Sequence, residues 1–340
     1  MSISKFPLSH LPISTQKFII GIWDPPELIE YSFISKKCKN LVKSLHVKEG
    51  DVLISIEGTI CIAINSLFFY FYEDWYRKRG NNEVRRQLKE PRSVELNWNS
   101  QKYNWNSQKY VLEKNDFDMK EWLEHLEYIF NCSKIRQIDL VHCSQWFDPD
   151  RIKEVFQNCT ELRIFERYSF DFSRRILENF LPVRKLSVST ELFEDLKIPN
   201  QLLIQNFDIL TLDFKSRAAV TLDQLLMTNS KSITLYGVGN IAKLLNKFIK
   251  MWIKGSNPQM ECLSVFDIFE NGEFDFDDVL QKIEHVKILE DHRRRFKGSV
   301  NVVVNGGIDI LRYDGLKATI LFIGHNVLYI YVWHDHCIAG

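Results

Sequence analysis

The side chains best suited to chemistry in this 340-residue chain lie near its C-terminal end, in the run WHDHC: His334, His336 and Cys337. Residues two apart on a strand point to one face, so His334 and His336 can converge. A closed zinc site takes four nitrogen or sulfur ligands, and no second pair is spaced to complement these. They are expected to be solvated, and no metal is assigned. His142 and Cys143 form an equally isolated pair. Aspartate and glutamate are plentiful, but no two are spaced for acid–base work. The runs FENGEFDFDD (269–278) and EDHRRR (290–295) are expected to be solvated turns and faces, with a charge-based docking role for Arg293, Arg294 and Arg295 as the alternative. Phosphate-binding, dinucleotide-binding, serine-hydrolase and zinc-protease signatures are all missing from the sequence. The expectation is a non-catalytic protein without cofactors.

Composition narrows the class. The chain is 45% apolar and 13% aromatic, which supports a substantial core. Lysine plus arginine equals aspartate plus glutamate, 44 each, so a partner held by a broad basic surface is not expected. The N-terminus shows no apolar run behind a basic start. The longest apolar run, LFFYFY at 67–72, is far too short to span a bilayer. Seven scattered cysteines without a C-x-x-C pair suggest reduced thiols, hence a cytoplasmic or nuclear protein.

The elements that could present a function begin at once. Phe6 to Leu45 packs three helix starts and three apolar faces into forty residues. Pro12 suits a first helical position, and Phe18, Ile19 and Ile22 recur at helical spacing. Asp24, Pro25 and Glu27 predict a capped second helix with Leu28, Ile29 and Phe33 as its stripe. Ser35 predicts the start of a third, carrying Cys38, Leu41, Val42 and Leu45. Helices this short are marginal alone and must share a core. Phe6, Leu8 and Leu11 precede them, either folded back on the helices or covered by a partner.

The order F-P-L-x-x-L-P, an apolar helix, D-P-x-E-L-I and S-K-K-x-K-x-L-V-K-S resembles an F-box, in the form found in a large nematode family of F-box proteins. The resemblance implies docking to the Skp-type adaptor of a cullin-RING ubiquitin ligase. It places Phe6, Pro7, Leu8, Leu11, Pro12, Ile19, Leu28 and Ile29 in the adaptor-facing set. Pro26 departs from the family, which more often has an aromatic or aliphatic residue there.

Downstream, VLISIE, ICIAI and FFYFY predict a hairpin or small meander over 51–72. Residues 77–117 are expected to be irregular, and the tandem copies of NWNSQKY at 97–103 and 104–110 to be a duplication tolerated in a surface loop. A helix capped by Asp118 follows, with Trp122, Leu126 and Ile129 or Phe130 on its apolar face. Six segments then share an apolar-x-x-apolar-x-apolar outline anchored at Ile138, Phe165, Leu186, Leu210, Ile233 and Leu263, with helical patterns between them. That period predicts a leucine-rich-repeat-like stack, and an ordinary βαβ sheet is the alternative. After about 285, Gly- and Asn-punctuated apolar runs predict an antiparallel sheet capping the stack.

IQNFDILTL, LLMTNSKSITL and above all WIKGSNP resemble the F-box-associated type 2 region of the same family, as does GGIDILRYDGLKATI. In that family the region is thought to bind the substrate. The expected fold is therefore mixed α and β: a three-helix F-box (5–48), a β-hairpin and irregular linker (51–117), and a degenerate leucine-rich-repeat-like α/β solenoid capped by β-strands (118–333). The expected function is the substrate-recognition subunit of an SCF-type cullin-RING E3 ubiquitin ligase, partnered by a Skp-type adaptor, through it a cullin, and an unknown target protein. The alternative is a helix-turn-helix-like nucleic-acid binder, suggested by Lys36, Lys37, Lys39 and Lys43 on the third helix.

Overall fold

A computed structural model describes residues 8–45, 50–72, 88, 91–99, 107–112, 114, 116–132, 134–166, 168–214, 220–239, 241–266, 276–324 and 326–338. Two compact units form, Met1–Thr160 and Glu161–Gly340. Phe6 and Pro7 lie outside the described residues.

In the first unit α1 (Ile13–Ile20), α2 (Pro25–Ile34) and α3 (Lys36–Lys43) begin close to their sequence signals. The Asp24 N–H donates to the Glu27 carboxylate at 3.0 Å, and Ser35 Oγ accepts the Cys38 N–H at 3.2 Å. The strands β1 (Val52–Ile56), β2 (Ile60–Ile64), β3 (Leu67–Tyr72), β4 (Ser93–Asn99) and β5 (Ser107–Leu112) pair in order as an antiparallel meander. After α4 (Met119–Ile129), β6 (Ile135–Leu140) joins β1 in parallel, and α5 (Pro149–Phe156) follows. Alternate residues Ile54, Ile62, Phe69, Phe71, Leu96 and Trp98 are buried. Phe71 meets Trp122 of α4 edge-on at 5.7 Å.

The stretch expected to be irregular thus contains two strands. The copies of NWNSQKY pair with each other, Asn97 opposite Lys109 and Trp98 opposite Gln108. Residues 97–99 of the first copy and 107–110 of the second therefore lie in paired strands, while 100–106 lie outside the described residues. The signal was the alternation of Val94, Leu96 and Trp98, with the polar Glu95 and Asn97 between.

The second unit begins within β7 (Cys159–Ile164) and continues through α6 (Phe170–Phe180), β8 (Lys185–Ser189), α7 (Asn200–Leu203), β9 (Ile209–Asp213), α8 (Leu222–Met227), β10 (Ser232–Tyr236), α9 (Ala242–Ile253), β11 (Cys262–Phe266) and α10 (Phe276–Leu280). Then come β12 (Val286–Lys297), β13 (Asn301–Leu311), β14 (Lys317–Ile323) and β15 (Val327–Val332). From β7 to β11 the strands are parallel neighbours in chain order. Beyond β11 come β15, β14, β13 and β12, all antiparallel. Leu162, Leu186, Leu210, Ile233 and Leu263 are in register across the parallel part and fully buried. The second anchor is therefore Leu162; Phe165 lies past the end of β7.

These observations correct the expected fold. The F-box followed by a capped leucine-rich-repeat-like α/β solenoid is replaced by mixed sheet: among the described residues fifteen strands pair both in parallel and antiparallel. The antiparallel strands are not a lid over a stack, because β15 hydrogen-bonds directly along β11. The connections are not repeats either. The 11-residue α6, the four-residue α7, the six-residue α8 and the 12-residue α9 differ threefold in length. Apolar periodicity reports which residues face a core, and a stack and a sheet need the same residues inward.

The end of α9 shows how this unit is fastened. Trp252 is buried, and the helix stops at Gly255, whose φ of +105° favours glycine and whose missing side chain leaves room for the Tyr313 ring. The buried Asn257 amide then donates to the carbonyls of Leu225 and Thr228 at 2.9 and 2.8 Å, tying this turn to the end of α8. Asn257→Ala strands those carbonyls without shortening any helix. It is expected to lower stability by about 1–3 kcal/mol, read as a reduced urea midpoint with an unchanged m-value.

Candidate docking surface on the N-terminal helices

The N-terminal helices carry large apolar side chains on their outside. Ile13 is 63% exposed, Phe18 74% and Ile22 70%, all on or just after α1, and Ile34 at the end of α2 is 70% exposed. Pro12 is exposed, and Leu8, Leu11, Ile19 and Leu28 are half-buried. Ile20 and Ile29 are fully buried behind them. Ile29 therefore supports this surface from within and is not on it. Gln16, also buried, donates from its amide to the Leu11 carbonyl at 2.6 Å, holding the lead-in against α1.

Ile13, Phe18, Ile22 and Ile34 were missing from the adaptor-facing set. Phe18 and Ile22 recur with Ile19 at helical spacing, which marks an apolar stripe. Helical spacing identifies an apolar face but does not say whether the core or a partner covers it. Pro26, the departure from the F-box pattern, is buried at the start of α2.

What holds this surface is aromatic packing between α2 and α4. Phe33 meets Trp122 edge-on at 5.4 Å and lies 4.6 Å from the His125 ring. Ser32 Oγ and His125 Nε2 are 2.7 Å apart, both buried. α3 is tied to α4 through Tyr128, which donates its hydroxyl to Asn40 Oδ1 at 2.6 Å and lies beneath Lys43 Nζ at 3.9 Å and Lys39 Nζ at 4.7 Å. These contacts weigh against the helix-turn-helix alternative: Asn40 and two of its four lysines are engaged within the fold. Trp23 packs edge-on to Tyr31 at 5.3 Å. Burial, with a lesser contribution from a hydrogen bond to Cys38, pushes the Tyr31 hydroxyl up to about 12.

The other residues singled out in the sequence are placed as follows. Arg294 donates from one terminal nitrogen, Nη1, to both carboxylate oxygens of the buried Asp309, each at 2.9 Å, and stacks 5.0 Å from the Trp333 ring centre, whereas Arg293 and Arg295 are exposed. Much of FENGEFDFDD lies outside the described residues. An open cleft in the first unit is lined by Gly50, Asp51, Asn65, Lys134 and Arg136 among others. Its Asp51 is paired with Arg136 at 2.5 Å.

Comparisons with known proteins agree with the C-terminal resemblance. Residues 198–265 match the family model described as F-box associated. This chain carries an F-box-associated region. It is similar to the F-box associated domain-containing protein sdz-33 of Caenorhabditis elegans, at 25% identity over 229 residues, covering 66% of this chain and 68% of that protein. No solved structure matches. At a coarse level the family connects the chain with substrate recognition of the F-box/SCF type. The matched residues contain α7 through β11, with the Trp252–Gly255–Asn257 turn among them.

The His125 contact gives a testable pH dependence. Burial, helped by the Lys39 and Lys114 charges, lowers its pKa from 6.5 to about 3. The folded state therefore binds fewer protons than the unfolded chain between those values. Its stability is complete above about pH 6.5 and falls as the pH drops from there toward 3, by up to about 1.4 kcal/mol per pH unit. Urea unfolding at about pH 7 and pH 5 should show this loss, and His125→Gln should reduce it. A pH dependence identical in the two proteins would mean that folded His125 protonates freely.

Proposed function

We propose that this chain is the substrate-recognition subunit of an SCF-type cullin-RING E3 ubiquitin ligase. In this reading α1 to α3 act as an F-box that docks a Skp-type adaptor and, through it, a cullin. The C-terminal unit binds a target protein and holds it near the ligase-bound conjugating enzyme. The chain is not an enzyme; the assembled complex accelerates transfer by proximity. The cytoplasm or nucleus is the place of action.

The observation that carries this reading is the exposure of large apolar side chains on and just after α1, above all Phe18 and Ile22, four residues apart, with Ile13 also exposed at its start. A soluble chain exposes a cluster of large apolar side chains at a cost that a covering partner removes. The helices beneath are held by Phe33, Trp122 and His125, so the face can be altered without disturbing its support. The F-box-associated match downstream suggests which class of partner covers it.

Interfaces concentrate their energy in a few anchors, each worth on the order of 2 kcal/mol or more. The double variant Phe18→Ala, Ile22→Ala is expected to weaken binding to a purified Skp-type adaptor by at least about tenfold, while its urea midpoint stays at the wild-type value. Leu11→Ala, Pro12→Ala should act in the same direction. Wild-type affinity in both variants would reject the docking face. Failure of the unaltered, folded chain to bind the adaptor would reject the ligase reading.

A further inference from the structure

The second unit brings Glu261 beside two potential metal ligands 75 and 76 residues further along the chain, His336 and Cys337. Glu261 precedes β11, while His336 and Cys337 lie in a short 3-10 turn, Asp335–Cys337, after β15. A carboxylate oxygen of Glu261, a ring nitrogen of His336 and Cys337 Sγ all lie within 4.8 Å of one another. We propose that Glu261, His336 and Cys337 form a binding site for a thiophilic divalent cation of the zinc type, with the fourth position open to water.

The donor set fits that chemistry. Carboxylate, imidazole and thiolate together suit zinc, whereas magnesium and calcium take oxygen ligands. Tetrahedral zinc with bonds of about 2.0–2.3 Å places its ligand atoms roughly 3.3–3.7 Å apart. His336 Nε2 is already 3.0 Å from Glu261 Oε1. Closing the set therefore needs a movement of about 1 Å by this estimate, and His336, with 64% of its side chain exposed, is free to make it.

The two remaining ligands are held in place. Glu261 is 5% exposed and Cys337 fully buried. Ser299 N–H donates to Glu261 Oε2 at 2.5 Å. Gly298 makes that approach possible, since a Cβ there would lie 2.8 Å from the same oxygen. The Val332 N–H donates to the Glu261 carbonyl at 2.8 Å, His334 Nε2 lies 3.0 Å from the Met260 carbonyl, and Ile338 bridges to Phe296. The C-terminal turn is thereby fixed beside Glu261 by its backbone. Cys337 packs in an apolar cluster with Phe296, Tyr331 and Trp333, a surround that limits water access to the site. A buried carboxylate is costly without a strong cationic partner, and a divalent ion supplies one. His334, which the sequence pairs with His336, is excluded from the ligand set: it stacks on the His336 ring at 5.4 Å and is directed to the Met260 carbonyl.

The test is cobalt(II) titration of the full chain after chelator treatment, followed by zinc displacement. The expected result is one ion per chain, with visible bands of tetrahedral intensity and a thiolate-to-cobalt charge-transfer band, both removed by zinc. His336→Ala alters an exposed side chain and should weaken binding by about tenfold or more without moving the urea midpoint of the metal-free protein. Cys337→Ala should abolish the charge-transfer band, and Cys143→Ser should leave it intact. Octahedral spectra, binding unchanged by His336→Ala, or no binding at all would show that Glu261 and His336 form an ordinary hydrogen bond and would overturn the proposal.

Discussion

Helices of eight to ten residues do not persist in water by themselves, and the N-terminal part of this chain consists of three of them. Their dependence on α4 is the constraint on which the rest of the account stands. Phe33 and Ser32 commit one face of α2 to Trp122 and His125. Asn40 and two lysines commit α3 to Tyr128. Ile13, Phe18 and Ile22 take no part in those contacts and stay exposed. The packing that stabilises the helices is therefore separate from the apolar side chains on their outside, which can be altered without touching it.

Much of the local structure was legible from the residues. The starts of α2, α3 and α4 are marked by Asp24, Ser35 and Asp118, because a side chain near a helix start has a fixed set of orphan N–H groups to meet. Asp118 accepts the Glu121 N–H at 2.8 Å. All six apolar-x-x-apolar-x-apolar segments coincide with or overlap strands. What could not be read was how the strands pair. A buried Leu210 has the same neighbours in number and polarity in a repeat stack or a mixed sheet. The pairing of β11 with β15 joins residues more than sixty positions apart, and no local pattern encodes it. The pairing of β4 with β5 was hidden for a different reason: Glu95, Asn97 and Lys109 occupy one face, and Gln108 stands opposite Trp98 on the other.

The candidate sites were legible to different degrees. The resemblance pointed to the N-terminal helices as the region for docking, and there Pro12 is exposed and Leu11 and Ile19 are half-buried. It did not distinguish Ile29, which is buried, from Phe18, which is not. The two residues sit on different helices, and only the packing of the helices decides which side of each faces inward. At the other end of the chain His336 and Cys337 were visible and lacked a third ligand. Glu261 supplies it through the β11–β15 pairing, the contact that sequence spacing could not show. In both regions the chemistry was written in short runs of residues, and the missing information was which distant strand or helix covers them.

The central claim is that the outward face of α1 docks an adaptor while the second unit stays free for a target. Hydrogen–deuterium exchange of the full chain, with and without a saturating purified Skp-type adaptor, tests it most directly. The account predicts slowed exchange in peptides covering α1 to α3, between residues 8 and 45, and unchanged exchange across β7 to β15. A complex that forms with no protection of α1, or with protection confined to the second unit, would contradict it.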